Sequence, residues 1–247
     1  MKNSCLACQS NQTLIKKIYS NNWRICKICG HSSLVEKDKE IIKANYKGNN
    51  LATNKVKFRH KYLARMLRNF SNKSILDIGA GNYLPLLISD EKLRFKKYTG
   101  IDMYFQSYVT RLAFLNQINE NIIDALDGIS EKYDFIILDN ILEHLERPDI
   151  VIKKILPLIK DSTKVYVSVP NKFNIKNLGN YKREYSHFNE HVHVFTSRSL
   201  NNIFLLNGFK SLDFFSMIVN LSIYPQISLS FLNMPLFGLY KLYKLSR

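Results

Sequence analysis

The chain has 247 residues, of which 46% are hydrophobic and 12% aromatic, and its formal net charge is +16. This composition can fill a hydrophobic core, which excludes an intrinsically disordered chain, and the length predicts one medium-sized domain with a smaller module. No signal peptide is predicted, because cysteines, lysines and asparagines interrupt the first apolar residues. We therefore expect a cytoplasmic, reducing environment.

The positive charge is concentrated in the first third of the chain. Residues 1–73 contain sixteen Lys or Arg against three acids, whereas residues 74–247 contain twenty against seventeen. Such a local excess favours an anionic partner, namely nucleic acid, an acidic lipid surface or a phosphorylated substrate. A lysine- and asparagine-rich surface with no such role would give the same pattern, so the charge leaves both interpretations open.

Four cysteines near the N-terminus form two C-x-x-C pairs, in "CLAC" and "CKICGH". Two such pairs can complete a tetrahedral four-sulfur site, which suits structural zinc better than a doubled redox motif. The predicted ligands are Cys5, Cys8, Cys26 and Cys29. The spacer between the pairs predicts a hairpin with strands in "TLIKKIY" and "WRIC", so residues 1–35 are predicted to form a zinc-ribbon-like module. His31 is either a spare ligand or, as we expect, a solvated side chain.

Residues 36–73 are predicted to form a basic helical linker. The segments "KDKEIIKANY" and "KFRHKYLARMLRNF" have apolar residues at helical spacing among many basic ones. The second segment ends at "SNKS", a turn signal. We expect its helix to lead into the main domain and to cover a ligand site there.

From residue 74 the sequence alternates between strand-like and helix-like segments. The strand-like segments are "SILDIGAG", "KYTGIDMY", "YDFIILDN" and "KVYVSVP". The helix-like segments that follow them are "YLPLLI", "SYVTRLAFLNQI", "IVIKKILPLI" and "SRSLNNIFLLNGF". The alternation predicts an α/β domain over residues 74–218, with a mostly parallel sheet and helices on both faces. Ligands of such sheets bind beyond the carboxyl ends of the strands, where Asp77, Asp102 and Asp139 fall.

The turn "DIGAGNY" after the first of these strands carries the chemistry of a nucleoside ligand. Gly79 and Gly81 let the backbone approach a ligand closely, but Asp77 in front of them would repel a pyrophosphate and suits a cationic ligand. Asp102, twenty-five residues further on, can accept both hydroxyls of a ribose. This combination favours S-adenosylmethionine over a nicotinamide dinucleotide.

The motifs from residue 60 to residue 218 resemble those of class I S-adenosylmethionine-dependent methyltransferases. In order they are "ILDIGAGNY", "YTGIDMY", "YDFIILDNILEHLERP", "SVPN" and "EHVHVFTSRSLNNIFLLNGF". The reading "LEH" followed by proline is closest to the small-molecule and sugar branch. The resemblance implies a seven-stranded Rossmann-like sheet whose last strand is antiparallel. Tyr83 is the departure, because a third glycine is common at that position.

The same resemblance implies a set of cofactor-binding residues. Its members are Asp77, Gly79, Ala80 and Gly81 at the methionine end, Asp102 at the ribose with Met103 beside it, Asp124 at the adenine, and Asp139 and Asn140 at the sulfonium.

Methyl transfer needs a base only if the acceptor is a hydroxyl or an acidic carbon. The candidates are Glu143 and His144, which the resemblance puts at the start of the helix after the fourth strand, and His191 in "EHVHVF". Histidine suits the role because its pKa lies near working pH. His187 and His193 are weaker candidates. Two alternatives stay open: the histidines bond to loop carbonyls, or Glu143 and His144 hold a divalent ion, as in some quinone-forming relatives.

The acceptor is predicted partly by exclusion. Methylases of DNA bases often carry an N-P-P-Y-like motif after the fourth strand, whose aromatic ring stacks on the base, whereas this chain has "LDNI". We expect a sugar or related small molecule of bacterial surface-glycan biosynthesis, and nucleic acid is disfavoured. A ribosomal RNA methyltransferase with an N-terminal zinc module is the main alternative, because phosphate contacts alone supply RNA binding. A third reading is a module that only senses S-adenosylmethionine.

Residues 214–240 run without a charge and precede "KLYKLSR", within a predicted C-terminal extension over residues 219–247. Two prolines and several amides argue against one continuous transmembrane helix. We expect the first part to be the last antiparallel strand. The remainder is expected to be a hydrophobic cover, a homodimer surface or an anchor at the inner face of the membrane, with Lys241, Lys244 and Arg247 at the headgroups.

Overall fold

The computed structural model describes residues 4–35, 58–90, 92–105, 113–170, 185, 190–211 and 239–245. The chain divides into two compact units that interleave along the sequence. The first unit comprises Met1–Lys47, Asn140–Asp149 and Val167–Arg247, and the second unit comprises Gly48–Asp139 and Ile150–Tyr166. The domain boundaries expected from the sequence stay a prediction.

Within the described residues, the strands in chain order are β1 (Thr13–Ile18), β2 (Asn21–Cys26), β3 (Ser32–Leu34), β4 (Ser74–Ile78), β5 (Lys97–Ile101), β6 (Leu115–Ile118), β7 (Tyr133–Asp139), β8 (Ile159–Val169), β9 (His193–Val194), β10 (Phe209–Ser211) and β11 (Leu239–Leu245). The α-helices in the same residues are α1 (Phe58–Leu67), α2 (Tyr83–Asp90), α3 (Ile122–Asp127), α4 (Pro148–Lys154) and α5 (Ser197–Leu205).

A sheet with the strand order β8-β7-β4-β5-β6 organises the second unit. Strand β4 pairs in parallel with both β5 and β7, and β5 pairs in parallel with β6. The central strand β4 is buried at all five positions, and β7 is buried over Phe135–Leu138. Near-continuous apolar runs of this kind are what a parallel sheet covered on both faces requires. The predicted α/β, Rossmann-like architecture is therefore confirmed.

Helix α1 packs through one apolar face. Leu63, Ala64 and Leu67 are fully buried and stand at the i, i+1, i+4 spacing of one helical face. Just beyond the helix, the Phe70 ring lies 4.3 Å from that of Phe135. The second helical segment predicted in residues 36–73 thus forms a helix, and the first lies outside the described residues.

Polar groups at the amino ends of three strands fix their register. Both the backbone N–H and the hydroxyl of Ser74 donate to one carboxylate oxygen of Asp134 at 2.8 Å, and Lys160 donates to the other at 2.8 Å. Burial alone would raise the pKa of Asp134, but the hydrogen bonds from Lys160 and Ser74 lower it to about 2. The amino-terminal ends of β4, β7 and β8 are therefore connected through the Asp134 side chain.

The first unit contains a second sheet, in the order β1-β2-β3-β9. The pairs β1–β2, β2–β3 and β3–β9 are all antiparallel. Its small core includes Ile18, Trp23, Tyr185 and Val194, and the Trp23 and Tyr185 rings meet edge-on at 4.9 Å. The predicted hairpin is thus present, whereas no pattern in the sequence predicts the pairing of β3 with β9.

At the C-terminal end of the first unit, β10 and β11 pair antiparallel, with Lys210 opposite Lys244. Lys241 and Lys244 therefore belong to a strand. The seven-stranded count stays a prediction, and residues 214–238, on which the expected last strand and hydrophobic cover fall, lie outside the described residues. No helix within the described residues has the length and apolar character needed to cross a bilayer.

One secondary-structure prediction is wrong. The segment "SYVTRLAFLNQI" was predicted to be helical, but its last four residues form β6. Each of them pairs with β5, from Tyr98 opposite Leu115 to Ile101 opposite Ile118. Apolar spacing suggested a helix, and tertiary strand pairing decided the outcome. The crossover helix after β6 is α3, which Asn121 caps by accepting the backbone N–H of Ile123 at 2.9 Å.

Candidate functional site

The glycine turn after β4 is tied to the end of β5 by backbone hydrogen bonds. The N–H groups of Gly79 and Ala80 donate to the Ile101 carbonyl at 2.8 and 3.1 Å. The N–H of Gly81 donates to a carboxylate oxygen of Asp102 at 2.9 Å, and the N–H of Tyr104 donates to the other at 2.9 Å. Each oxygen keeps a lone pair for a ligand hydroxyl. The structure thus brings these predicted residues together at one rim of the sheet.

Gly81 leaves space for a ligand. It adopts φ +54°, which favours glycine, and a Cβ built on it meets no atom within 4 Å. By contrast, a Cβ on Gly100 would lie 3.0 Å from a methyl of Leu115 and 3.2 Å from the Cβ of Ala80. Gly100 therefore serves close packing, whereas the space beside Gly81, here called the glycine cradle, is open and leaves room for a ligand to approach the backbone.

Asp77 is the buried acid of this rim, with an exposed fraction of 1%. The Tyr98 hydroxyl donates to its Oδ2 at 2.5 Å. Burial raises the pKa of Asp77 to about 7, with further contributions from the negative charges of Asp139 and Asp102, and the Tyr98 hydrogen bond opposes this rise. A cationic ligand would stabilise the ionised form of this carboxyl, because a nearby positive charge favours ionisation of an acid.

His60 on α1 is a residue of this rim that sequence reasoning missed. Its Nε2 lies 3.4 Å from Oδ2 of Asp139, the last residue of β7, and both side chains are more than nine-tenths buried. The His60 ring also stacks on Tyr83 at 5.5 Å. Tyr83, which departs from the glycine pattern, begins α2 and forms part of the same cluster. No residue spacing in the sequence predicts either contact, although His60 lies on the helix that was expected to cover the ligand site.

The remaining predicted cofactor residues are placed as follows. Met103 is 48% exposed beside Asp102. Asp124 lies exposed in the first turn of α3. Asn140 has φ +53°, its N–H donates to the Ser168 carbonyl at 3.0 Å, and its side-chain oxygen accepts the Ser168 hydroxyl at 2.7 Å. Their cofactor roles stay predictions.

Glu143, His144 and His191 form a cluster in the first unit, here called the acceptor cluster. One ligand atom from each lies within 4.8 Å of those of the other two. The His144 and His191 rings meet edge-on at 4.9 Å, and the Glu143 carboxyl is 1% exposed. The expectation that Glu143 and His144 begin a helix is wrong, because they occupy a turn and α4 begins only at Pro148. Proline with its fixed φ starts helices readily at this first position.

The tautomer of His144 follows from its hydrogen bond. Its Nδ1 lies 3.0 Å from the carbonyl oxygen of Glu190. Since a carbonyl only accepts, Nδ1 carries the proton and Nε2 offers a lone pair. That Nε2 is 3.9 Å from Oε1 of Glu143. The pair can take up a proton as imidazolium beside a carboxylate, and the same donor set could hold a divalent ion, an alternative that stays a prediction.

The four cysteines lie together as free thiols. The sulfurs of Cys5 and Cys29 are 3.6 Å apart, and those of Cys8 and Cys26 are 3.5 Å apart. Tetrahedral zinc with bonds of about 2.3 Å needs sulfurs about 3.8 Å apart, so the cluster fits the ion. A hydrogen bond from Cys29 lowers the pKa of Cys5 to about 5, and the same contact together with burial raises the pKa of Cys29.

His31 and His193 are neighbours, and neither belongs to the cysteine cluster or the acceptor cluster. The prediction that His31 is solvated is wrong, because it is 2% exposed. Its Nε2 lies 3.2 Å from Nδ1 of His193, and the rings stack at 5.2 Å. His193 Nε2 also lies 3.3 Å from the carbonyl oxygen of Glu146. These two histidines are interior packing residues, and His187 lies outside the described residues.

Comparison with known proteins adds a family and a fold. The sequence model of a family described as "Methyltransferase domain" matches residues 52–213. A search of curated proteins found no match. Among solved structures, the plantazolicin methyltransferase BpumL in complex with SAH is 17% identical, with a TM-score of 0.57 over 86% of this chain and 91% of that one.

Two further structures have similar scores. The 1,6-didemethyltoxoflavin-N1-methyltransferase of Burkholderia thailandensis, solved with 1,6-didemethyltoxoflavin and S-adenosylhomocysteine, is 12% identical, with a TM-score of 0.59 over 88% of this chain and 96% of that one. A complex of the Haloferax volcanii Trm112 methyltransferase activator and a methyltransferase gives 12% identity and a TM-score of 0.58, over 86% of this chain and 100% of the matched one. At these identities the likeness concerns the fold.

Proposed function

This chain belongs to the methyltransferase-domain family and is an S-adenosylmethionine-dependent methyltransferase; we propose that it methylates a small molecule, with Glu143, His144 and His191 handling the acceptor. The observation that carries the proposal is the acceptor cluster of the first unit, in which the hydrogen bond of His144 Nδ1 to a carbonyl leaves Nε2 as the basic nitrogen.

We assign the cofactor to the rim of the second unit. Asp77 would bind the ammonium group of the methionine moiety, and Asp102 would accept the ribose hydroxyls with the lone pairs that Gly81 and Tyr104 leave. The Gly81 backbone would lie against the ligand. Asp124 near the adenine, and Asp139 with Asn140 near the sulfonium, complete the assignment that the family resemblance implies.

The chemistry of the acceptor cluster suits a hydroxyl acceptor. In an in-line displacement the acceptor oxygen bonds to the methyl carbon, the carbon–sulfur bond breaks, and S-adenosylhomocysteine leaves with the electron pair. The acceptor proton would pass to His144 Nε2, and the buried Glu143 carboxylate would stabilise the imidazolium. General-base catalysis of this kind contributes about 10²–10⁴-fold in rate.

The small-molecule class is supported by two observations. Two of the three fold neighbours named above are methyltransferases of plantazolicin and of 1,6-didemethyltoxoflavin. The "LEHLERP" stretch resembles the small-molecule and sugar branch. Within that class a sugar of surface-glycan biosynthesis is our specific proposal. We also propose that the four cysteines hold one structural zinc, which leaves no open coordination position for chemistry.

An acceptor panel tests the function. Labelled S-adenosylmethionine is offered with sugar nucleotides, lipid-linked sugars, heteroaromatic compounds and ribosomal RNA, and the label is traced by mass spectrometry. We expect label in the sugar pool, lost on His144→Gln and reduced on Glu143→Gln. Glu146→Gln is the matched control, since Glu146 is an exposed carboxylate three residues away. Stoichiometric label at one RNA site would contradict the acceptor class, and full activity of His144→Gln would contradict the base.

A further inference from the structure

Strand β9 joins two features of the first unit that lie far apart in the sequence, the cysteine module and the acceptor cluster. Ser32 pairs with Val194 and Ser33 with His193, so β9 is an edge strand of the module's own sheet. The pairing continues one step further, because the N–H of Leu34 donates to the Val192 carbonyl at 3.0 Å. The backbone that follows His191 is therefore held directly by the module.

Thr196 connects the cysteine loop to the helix that follows β9. Its hydroxyl donates to the carbonyl of Cys29 at 2.6 Å and accepts the N–H of Ser199 at 3.0 Å as the cap of α5. Gly30, next to Cys29, has φ +72°, and a Cβ there would lie 3.0 Å from Cγ2 of Thr196. The backbone of Cys29, a predicted metal ligand, and the N-terminus of α5 are thus connected through one buried hydroxyl group.

The same segment is bonded to the turn that carries Glu143 and His144. The N–H groups of Val192 and His193 donate to the Glu143 carbonyl at 2.8 and 3.2 Å. On the other side of His191, the carbonyl of Glu190 accepts from His144 Nδ1 at 3.0 Å. The backbone on both sides of His191 is therefore hydrogen-bonded to the turn that carries Glu143 and His144. Strand β9, which follows, is paired with the sheet of the cysteine module.

We propose that the four-cysteine module is a positioning element of the methyltransferase site, with Thr196 as the positioning residue that sets the geometry of the acceptor cluster through β9. The proposal deepens the proposed function and rests on it, in that this cluster handles the acceptor. A module that serves only to bind another macromolecule would not need hydrogen bonds to the segment that orients His191. The module's geometry would then govern acceptor turnover while leaving the affinity for the cofactor unchanged.

The test compares Thr196→Val, which removes the hydroxyl at constant shape, with Thr196→Ser, which keeps it. Asn121→Ala is the matched control, because it removes the cap of α3 in the second unit. On full-length, isotope-labelled protein, three quantities are measured: the ring ¹H–¹³C signals of His144 and His191, amide hydrogen exchange at Val192 and His193, and the dissociation constant of S-adenosylhomocysteine. None of them requires the acceptor, so the outcome is independent of the acceptor panel.

We expect Thr196→Val to shift both ring signals and to speed exchange at Val192 and His193 at least fivefold, because it removes both hydrogen bonds of the hydroxyl and the loss of one alone has an effect of about that size. Thr196→Ser restores the wild-type values, Asn121→Ala does not move the ring signals or the exchange rates, and the dissociation constant stays within a factor of two in both Thr196 variants. Gly30→Ala, which would press on Thr196, is the second variant and should act like Thr196→Val. Ring signals and exchange rates that stay unchanged in both Thr196→Val and Gly30→Ala would overturn the proposal. The same shifts in Asn121→Ala would also overturn it.

Discussion

Asp77 gives the sharpest prediction about the cofactor site, because its pKa of about 7 makes the folding stability depend on pH in a direction opposite to that of most acids. An unfolded chain releases this proton at about pH 3.9, so between about pH 4 and 7 the folded state binds a proton that the unfolded state has lost. The contribution of the protonated Asp77 carboxyl to the free energy of unfolding is therefore complete below about pH 4. It is lost as the pH rises through about 7.

Asp77→Asn removes this ionisation and leaves an amide oxygen to accept the Tyr98 hydroxyl. Three pKa units correspond to about 4 kcal/mol, and burial of the amide offsets part of this, so we expect the free energy of unfolding at pH 8 to rise by about 2–4 kcal/mol. The same variant should bind S-adenosylhomocysteine more weakly, because the ligand's ammonium loses its carboxylate.

The assay is urea unfolding at pH 5 and pH 8 with and without the ligand. Wild-type stability should fall between these pH values, whereas that of Asp77→Asn should change much less. Asp134→Asn is the matched control of opposite sign: Lys160 and Ser74 lower the pKa of Asp134 to about 2, so its loss should destabilise the protein at pH 8. An Asp77→Asn protein that is less stable than wild type at pH 8 would refute the reasoning.

Three other predictions concern the remaining site residues. Asp102→Ala should weaken S-adenosylhomocysteine binding by about 1–3 kcal/mol in calorimetry, since ribose hydroxyls lose their acceptor, and an unchanged affinity would remove Asp102 from the site. Gly81→Ala should weaken binding at least tenfold (about 1.4 kcal/mol) because its Cβ would occupy the open cradle, whereas Gly128→Ala, whose Cβ would meet its nearest neighbour at an ordinary 3.6 Å, should bind normally. Elemental analysis should find one zinc per chain, lost in Cys29→Ser, and less than about half an equivalent in wild type would contradict the metal site.

The sequence best predicts those site residues whose positions follow from local secondary structure. The turn from Asp77 to Gly81 and the acid at Asp102 are close in sequence to strand ends, and parallel strands bring their carboxyl ends to one rim. The two C-x-x-C pairs were likewise expected to bring their four sulfurs together, as the structure shows. These features could be predicted because the chain's own geometry places them.

The contacts that were missed are those between distant segments. His60 reaches Asp139 from a helix whose spacing marks only an apolar face, and Tyr83 meets it by ring stacking. Strand β9 is two residues long and follows a histidine-rich stretch that has no strand period, so its pairing with β3 had no local signal. His31 was expected in solvent because nothing in the sequence places His193 beside it. Such contacts depend on tertiary packing, which periodicity does not encode.

The measurement that tests the central account most directly is calorimetric titration of the full-length protein with S-adenosylhomocysteine and, in parallel, with NAD. We predict micromolar binding of S-adenosylhomocysteine, weakened in Asp102→Ala and unchanged in Thr196→Val, with no heat from NAD. A clear NAD signal, together with no binding of S-adenosylhomocysteine, would contradict the assignment of the glycine cradle and the functions derived from it.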